Sequence, residues 1–206
     1  MSDWQRSWQQ AWAELRLAAP GGPTLSNLLA AWAEPHRRYH SLQHLHECLA
    51  LFEQARAVAE HPGEVAIALW FHDAVYDTGR HDNEAASADW ARRVLLDACA
   101  APDVGERVHA LIMATCHAAA PTTPDARLLV DIDLAILGAD PARFAEYERQ
   151  IRAEYAFVPE PQFREKRAGI LRAFLARPQI FSTSGLAGRF EAAVRANLAQ
   201  AIPALA

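Results

Sequence analysis

The chain has 206 residues, 51% of them hydrophobic, enough to bury a sizeable core and near the upper end of what one domain usually holds. Its net charge of -5 excludes a broad basic surface, so no extended nucleic acid is expected as a partner, whereas a small phosphorylated molecule needs only a local positive site. No run approaches the roughly 18 apolar residues of a membrane span and the first residues lack a cleaved-signal pattern, so one cytoplasmic domain with no membrane partner is expected.

Alanine, leucine, arginine and glutamate dominate, and β-branched residues never alternate over a strand's length, which predicts an all-α fold. Helices are expected over 2–18, 24–34, 40–60, 64–74, 83–100, 103–117, 125–138, 141–155, 161–176 and 187–200, with proline and glycine between them. Trp4, Trp8 and Trp12 recur every fourth residue, a stripe expected to pack the first helix onto the body or onto a second copy of the chain. Starts are expected at Thr24, at Asp82 or Asn83, and at Asp140, where a carboxylate precedes the first-turn Pro141. Residues 64 to 71 are nearly apolar all round, so that helix should be surrounded by others and should deliver His72 and Asp73 from inside the core. Cys48, Cys99 and Cys116 lack CxxC spacing and are expected to be reduced and mostly buried. The basic residues Arg164, Lys166, Arg167, Arg172 and Arg177 are expected to form a solvated face.

Chemistry concentrates in three places. His40 and His44 are four apart, so on a helix they would share a face and could reach one centre. His72 and Asp73 stand side by side at the end of the apolar helix, where a carboxylate is unfavourable against the helix dipole unless something cationic compensates. Asp131 and Asp133 interrupt the apolar run from Leu128 to Leu137. Residues two apart point about 200 degrees apart around a helix, so one of these acids should face inward and the other face solvent or cap a neighbour. Asp133, between Ile132 and Leu134, is the favoured inward one.

In order and spacing, His44, His72-Asp73 and Asp133 resemble the H…HD…D signature of the HD superfamily of metal-dependent phosphohydrolases. More narrowly, Arg38-Tyr39-His40 with His44, Phe71-His72-Asp73 with Val75 and Tyr76, Asn83-Glu84 with Ser87, and Asp131, Asp133 and Gly138 are similar to an uncharacterised bacterial branch of that superfamily. The likeness covers about 37 to 138, with helices 141–200 expected to pack on that core.

The resemblance implies that His44, His72, Asp73 and Asp133 bind one divalent transition metal, with manganese, iron, cobalt, nickel and zinc all compatible with the donors. His40 ranks second for the first-ligand role, because it leaves the stripe Leu45, Cys48, Leu49 and Phe52 one turn out of phase. The implied activity is hydrolysis of a small phosphorylated metabolite, a nucleotide above all, by a metal-activated water. Asp73 and Glu84 take the catalytic roles, Glu84 as the carboxylate that handles protons; its other reading is a first-turn glutamate favoured by the helix dipole. Arg37, Arg38, His40 and His117 are candidates for phosphate contact. Two other classes stay open: a di-iron oxygenase using His40 and His117, and a noncatalytic metal-binding ligand sensor.

Overall fold

The computed structural model describes residues 2–205. Among these it has ten α-helices, three short 3-10 segments and no strand, as the composition predicts. No helix among the described residues is long and apolar enough to cross a membrane. The chain divides into two compact units, one up to Val130 and one from Asp131.

The first unit holds α1 (Asp3–Glu14), α2 (Gly22–Trp32), α3 (Leu42–Ala55), α4 (Pro62–Phe71), α5 (Asn83–Asp97) and α6 (Pro102–Met113). α4 is its axis and touches α1, α3, α5 and α6. Every side chain from Val65 to Phe71 is buried, because a helix without a polar face can only be covered on all sides. The one charge on it is neutralised: Glu64 is gripped by two nitrogens of Arg107 at 2.6 and 2.8 Å. At the start of α4 a Cβ on Gly63 would lie 3.0 Å from Ala11 O and from Glu14 Cβ, so glycine lets α1 approach.

The tryptophan stripe packs α1 onto the body. Trp8 and Trp12 are buried, and Trp8 meets Trp70 edge to face at 5.4 Å. Two helices end earlier than their periodicity implies, because a non-glycine residue takes the left-handed conformation at each exit. These are Arg16 after α1 and Cys99 after α5, with Leu17 N bonded to Trp12 O and Ala100 N to Leu95 O. That turn also leaves Cys99 exposed, against the expectation of burial; Cys48 is buried, Cys116 is half-buried, and all three are free thiols.

The expected start at Thr24 moves to Gly21, since Pro23 fits the first turn where its missing N–H is not needed. Asp82 stands at the start of α5 but makes no capping bond, its carboxylate being held by Arg80. Asp140 caps as expected, accepting from Ala142 N and Arg143 N.

α7 (Pro124–Leu134) carries the chain into the second unit, where 135–138 form a 3-10 turn followed by α8 (Pro141–Glu154), α9 (Glu160–Leu175) and α10 (Ser184–Ala204). α10 packs on the 135–138 turn and on α9. Lys166 and Arg172 are solvated as expected, but Arg167 is buried, paired with Glu148 and lying over the Tyr147 ring at 5.0 Å.

Candidate metal centre

Three polar atoms of the first unit converge where α3 passes the end of α4. His44 faces inward from the first turn of α3 and is 2% exposed; His72 caps the end of α4 at 1%. Their Nε2 atoms lie 3.1 Å apart, Asp73 Oδ2 is 3.2 Å from His72 Nε2, and it is 3.8 Å from His44 Nε2. The circle through these three atoms has a radius of about 2.0 Å, matching the ~2.0–2.2 Å bonds that zinc-like ions make to imidazole nitrogen and carboxylate oxygen.

The protonation of His72 follows from its other nitrogen. Nδ1 sits 2.8 Å from the Leu69 carbonyl; a carbonyl only accepts, so Nδ1 carries the proton and Nε2 turns its lone pair to the centre. A lone pair, a second imidazole and a carboxylate gathered almost out of water form a set of donor atoms that a cation between them would stabilise. The donor set therefore fits a divalent transition metal. Cys48 Sγ lies within 4.8 Å of potential ligand atoms of both His44 and His72. It stands 3.7 Å from both ring nitrogens of His44, which puts it beside the ring and off the Nε2 lone-pair axis.

The residues around this centre hold its backbone still. Arg37 was expected to meet phosphate; instead it is buried, and its donors go to Asp73 O at 2.6 Å, Ala74 O at 2.9 Å, His40 O at 3.2 Å and Glu34 Oε2 at 3.0 Å. The carbonyls at the end of a buried helix have no partner within the helix, and a planar fork with five donors satisfies several at once. His36 bonds Tyr76 O at 2.8 Å. From α5, Ser87 Oγ accepts Val75 N at 3.0 Å, and the Asn83 amide exchanges bonds with the main chain of Asp77. The spacing of Asn83 and Ser87 thus acquires a physical reason: one helix face clamps the turn that follows Asp73. Trp32 lies 5.3 Å from the His72 ring, held by its own bond to Trp70 O.

His40 precedes α3, whose N-cap is Ser41, so it does not share a helix face with His44 as the spacing suggests. It is half-buried and stacks on Tyr76 at 4.1 Å. Arg38 is exposed, and His117 ends the α6 region in a left-handed conformation. Glu84 is half-buried in the first turn of α5, between the two clamping residues. It also lies near Cys116, whose thiol is pushed up by burial and, to a lesser degree, by the Glu84 charge.

In the second unit Asp131 takes the capping role. It is fully buried and accepts from Ser182 N at 2.9 Å and from Thr183 N, fixing the entry to α10. Burial pushes its carboxyl up, against the pull of those two donors. Asp133 is half-buried on the last turn of α7.

The chain matches no protein-family model, no curated protein and no solved structure. What can be said of the centre therefore comes from its atoms. His44, His72 and Asp73 are candidates from the sequence and lie together here; Trp32 and His36 are not, and Cys48 is read there only as part of the buried stripe. His36 and Trp32 stand immediately before the histidine-rich stretch, and only their tertiary contacts set them apart.

Proposed function

We propose that this protein is a metal-dependent phosphohydrolase of the HD type, acting on a small phosphorylated metabolite such as a nucleotide. The observation that carries the reading is the convergence of His44 Nε2, His72 Nε2 and Asp73 Oδ2 on one point, with the His72 proton held away on Nδ1. Asp133 is assigned as the fourth ligand on the sequence pattern. When bound, the metal would acidify the attacking water and draw charge from a phosphoryl oxygen.

The chain's own groups then have limited tasks. Asp73 lends negative charge to the centre, and its main chain is fixed by Arg37 so that the carboxylate need not reorganise during the reaction. Glu84 takes and returns a proton. Arg38 and His40, on the loop before α3, are the groups assigned to substrate phosphate, and His117 is a further candidate. A nucleotide's remaining phosphates would need such donors, since the chain's net charge is negative.

The test is a screen of purified protein, loaded in turn with manganese, iron, cobalt, nickel and zinc, against nucleoside mono-, di- and triphosphates and sugar phosphates. Release of phosphate that is abolished by Asp73→Ala is the expected result. Absence of turnover under every metal, with stoichiometric metal confirmed by elemental analysis, would overturn the assignment of activity while leaving the metal site in place.

A further inference from the structure

The first unit has a second feature, at the other end of α4. His61 is the N-cap of α4 and His72 its C-cap, so about 16 Å of helix separates it from the metal centre. A pocket of about 500 Å³ opens there, in the size range of small-molecule sites. Its walls are mainly apolar, from Leu111, Met113 and the alanines of α6 and the loop that follows. Its polar edge is made by Glu60, His61, Glu64, Arg107 and Asp125.

The hydrogen-bonding state of that edge can be read group by group. Asp125 is buried and accepts from Glu60 N at 2.7 Å, His61 N at 3.0 Å and His61 Nδ1 at 3.0 Å. A carboxylate oxygen accepts, so the His61 proton on this side sits on Nδ1, and in the neutral ring Nε2 is left as an acceptor. Arg107 is committed to both oxygens of Glu64 and to Asp103. The Glu60 carboxylate lies within 4.8 Å of ligand atoms of both His61 and Asp125.

Three carboxylates and the Arg107 guanidinium line the pocket, while Asp103 and Arg127, the latter bonded to the Pro121 carbonyl, adjoin it with opposite charges, so the edge is negative. The first-turn positions of Glu64 and Asp125 set their charges against helix N-termini worth about half a charge each, which leaves the sum negative. An apolar hollow rimmed by acceptors and negative charge complements a cationic hydrogen-bond donor with an apolar body. We propose that this pocket binds a small organic ammonium compound, with its apolar body on Leu111 and Met113 and its N–H donors on Glu60 and His61 Nε2.

The chain has only two methionines, Met1 and Met113, so a methyl-labelled sample of the full chain places one assigned signal in the pocket wall. Titration with 2-phenylethylamine is expected to move the Met113 signal saturably. 2-Phenylethanol and phenylacetate, with the same body, should bind at least ~10-fold more weakly, because one loses the charge and the other reverses it. Exposed Glu60→Gln should weaken the amine about 5-fold and leave the alcohol unchanged, the size of a partly solvated ion pair. No saturable shift with the amine, or phenylacetate binding as tightly, would overturn the proposal. So would a divalent cation moving the same signal where the amine does not, which would assign Glu60, His61 and Asp125 to an ion.

Discussion

Replacing Arg37 by methionine separates two roles that the sequence alone cannot tell apart. The side chain is similar in length, so the apolar stem can still lie near Trp32 and Tyr76, whose rings the guanidinium now covers at 5.6 and 5.5 Å. What disappears is the donor set. The Ala74 carbonyl is buried and the Asp73 carbonyl lies beside a carboxylate that is only 15% exposed, so neither readily recruits water. A buried acceptor left without a donor costs about 1–3 kcal/mol, and the Glu34 bond, being largely exposed, adds little. The expected loss is therefore about 3 kcal/mol. With a urea slope of roughly 2–3 kcal/mol per molar, the denaturation midpoint should fall by about 1 M without a change in slope. Because the released turn carries Asp73, metal affinity measured by competition with a chromophoric chelator should fall about 10–100-fold, the usual effect of losing a partner that orients a ligand. Arg37→Lys should recover only part of both, since an ammonium cannot span several carbonyls. An Arg37→Met variant with wild-type stability and metal affinity but a raised KM would refute this reasoning and return Arg37 to the substrate.

Other substitutions divide in the same way between structure and metal. Asp131→Ala should cost about 2 kcal/mol by stranding Ser182 N and Thr183 N, with metal stoichiometry unchanged by elemental analysis. Asp133→Asn should do the reverse, lowering metal affinity with little change in the denaturation midpoint. The folded Asp131 carboxyl titrates above its unfolded value, so the folded state holds the extra proton between the two. Its contribution to stability is favourable at low pH and is lost as pH rises through the folded value. Urea midpoints of wild type and Asp131→Asn across the acid range should diverge in that sense. Cys48→Ser should keep metal affinity within a few-fold, because the sulfur stands off the His44 lone-pair axis; loss comparable to His72→Ala, seen by the same chelator competition, would make it a ligand. Gly138→Ala should destabilise by about 1–3 kcal/mol in thermal unfolding, since the new Cβ would fall 2.9 Å from Phe190 Cβ and 3.0 Å from Phe190 O.

Much of the fold is legible in the residues because helix periodicity and its punctuation are local. The apolar run before His72 reads as a surrounded helix because it has no polar face, and the adjacent histidine and aspartate mark its end as the place where charge gathers. Helix ends were less legible: Arg16 and Cys99 adopt the conformation usually given to glycine, and nothing in their side chains announces it. His40 illustrates the same limit, since a spacing of four implies a shared face only if the helix has already begun, and Ser41 starts it one residue too late.

Local sequence determined the all-helical class and the central burial of α4, because both follow from side-chain chemistry at helical spacing, and it marked His44, His72 and Asp73 as candidates. Tertiary structure decided what those residues and their neighbours do with their atoms. It turned Arg37 from a phosphate candidate into a clamp on carbonyls more than thirty positions away, and gave Asp131 the two free N–H groups at the start of α10. It also set the His72 proton on the side of Leu69. Hydrogen bonds are short-range and directional, so their partners are fixed only when the chain has brought distant segments together.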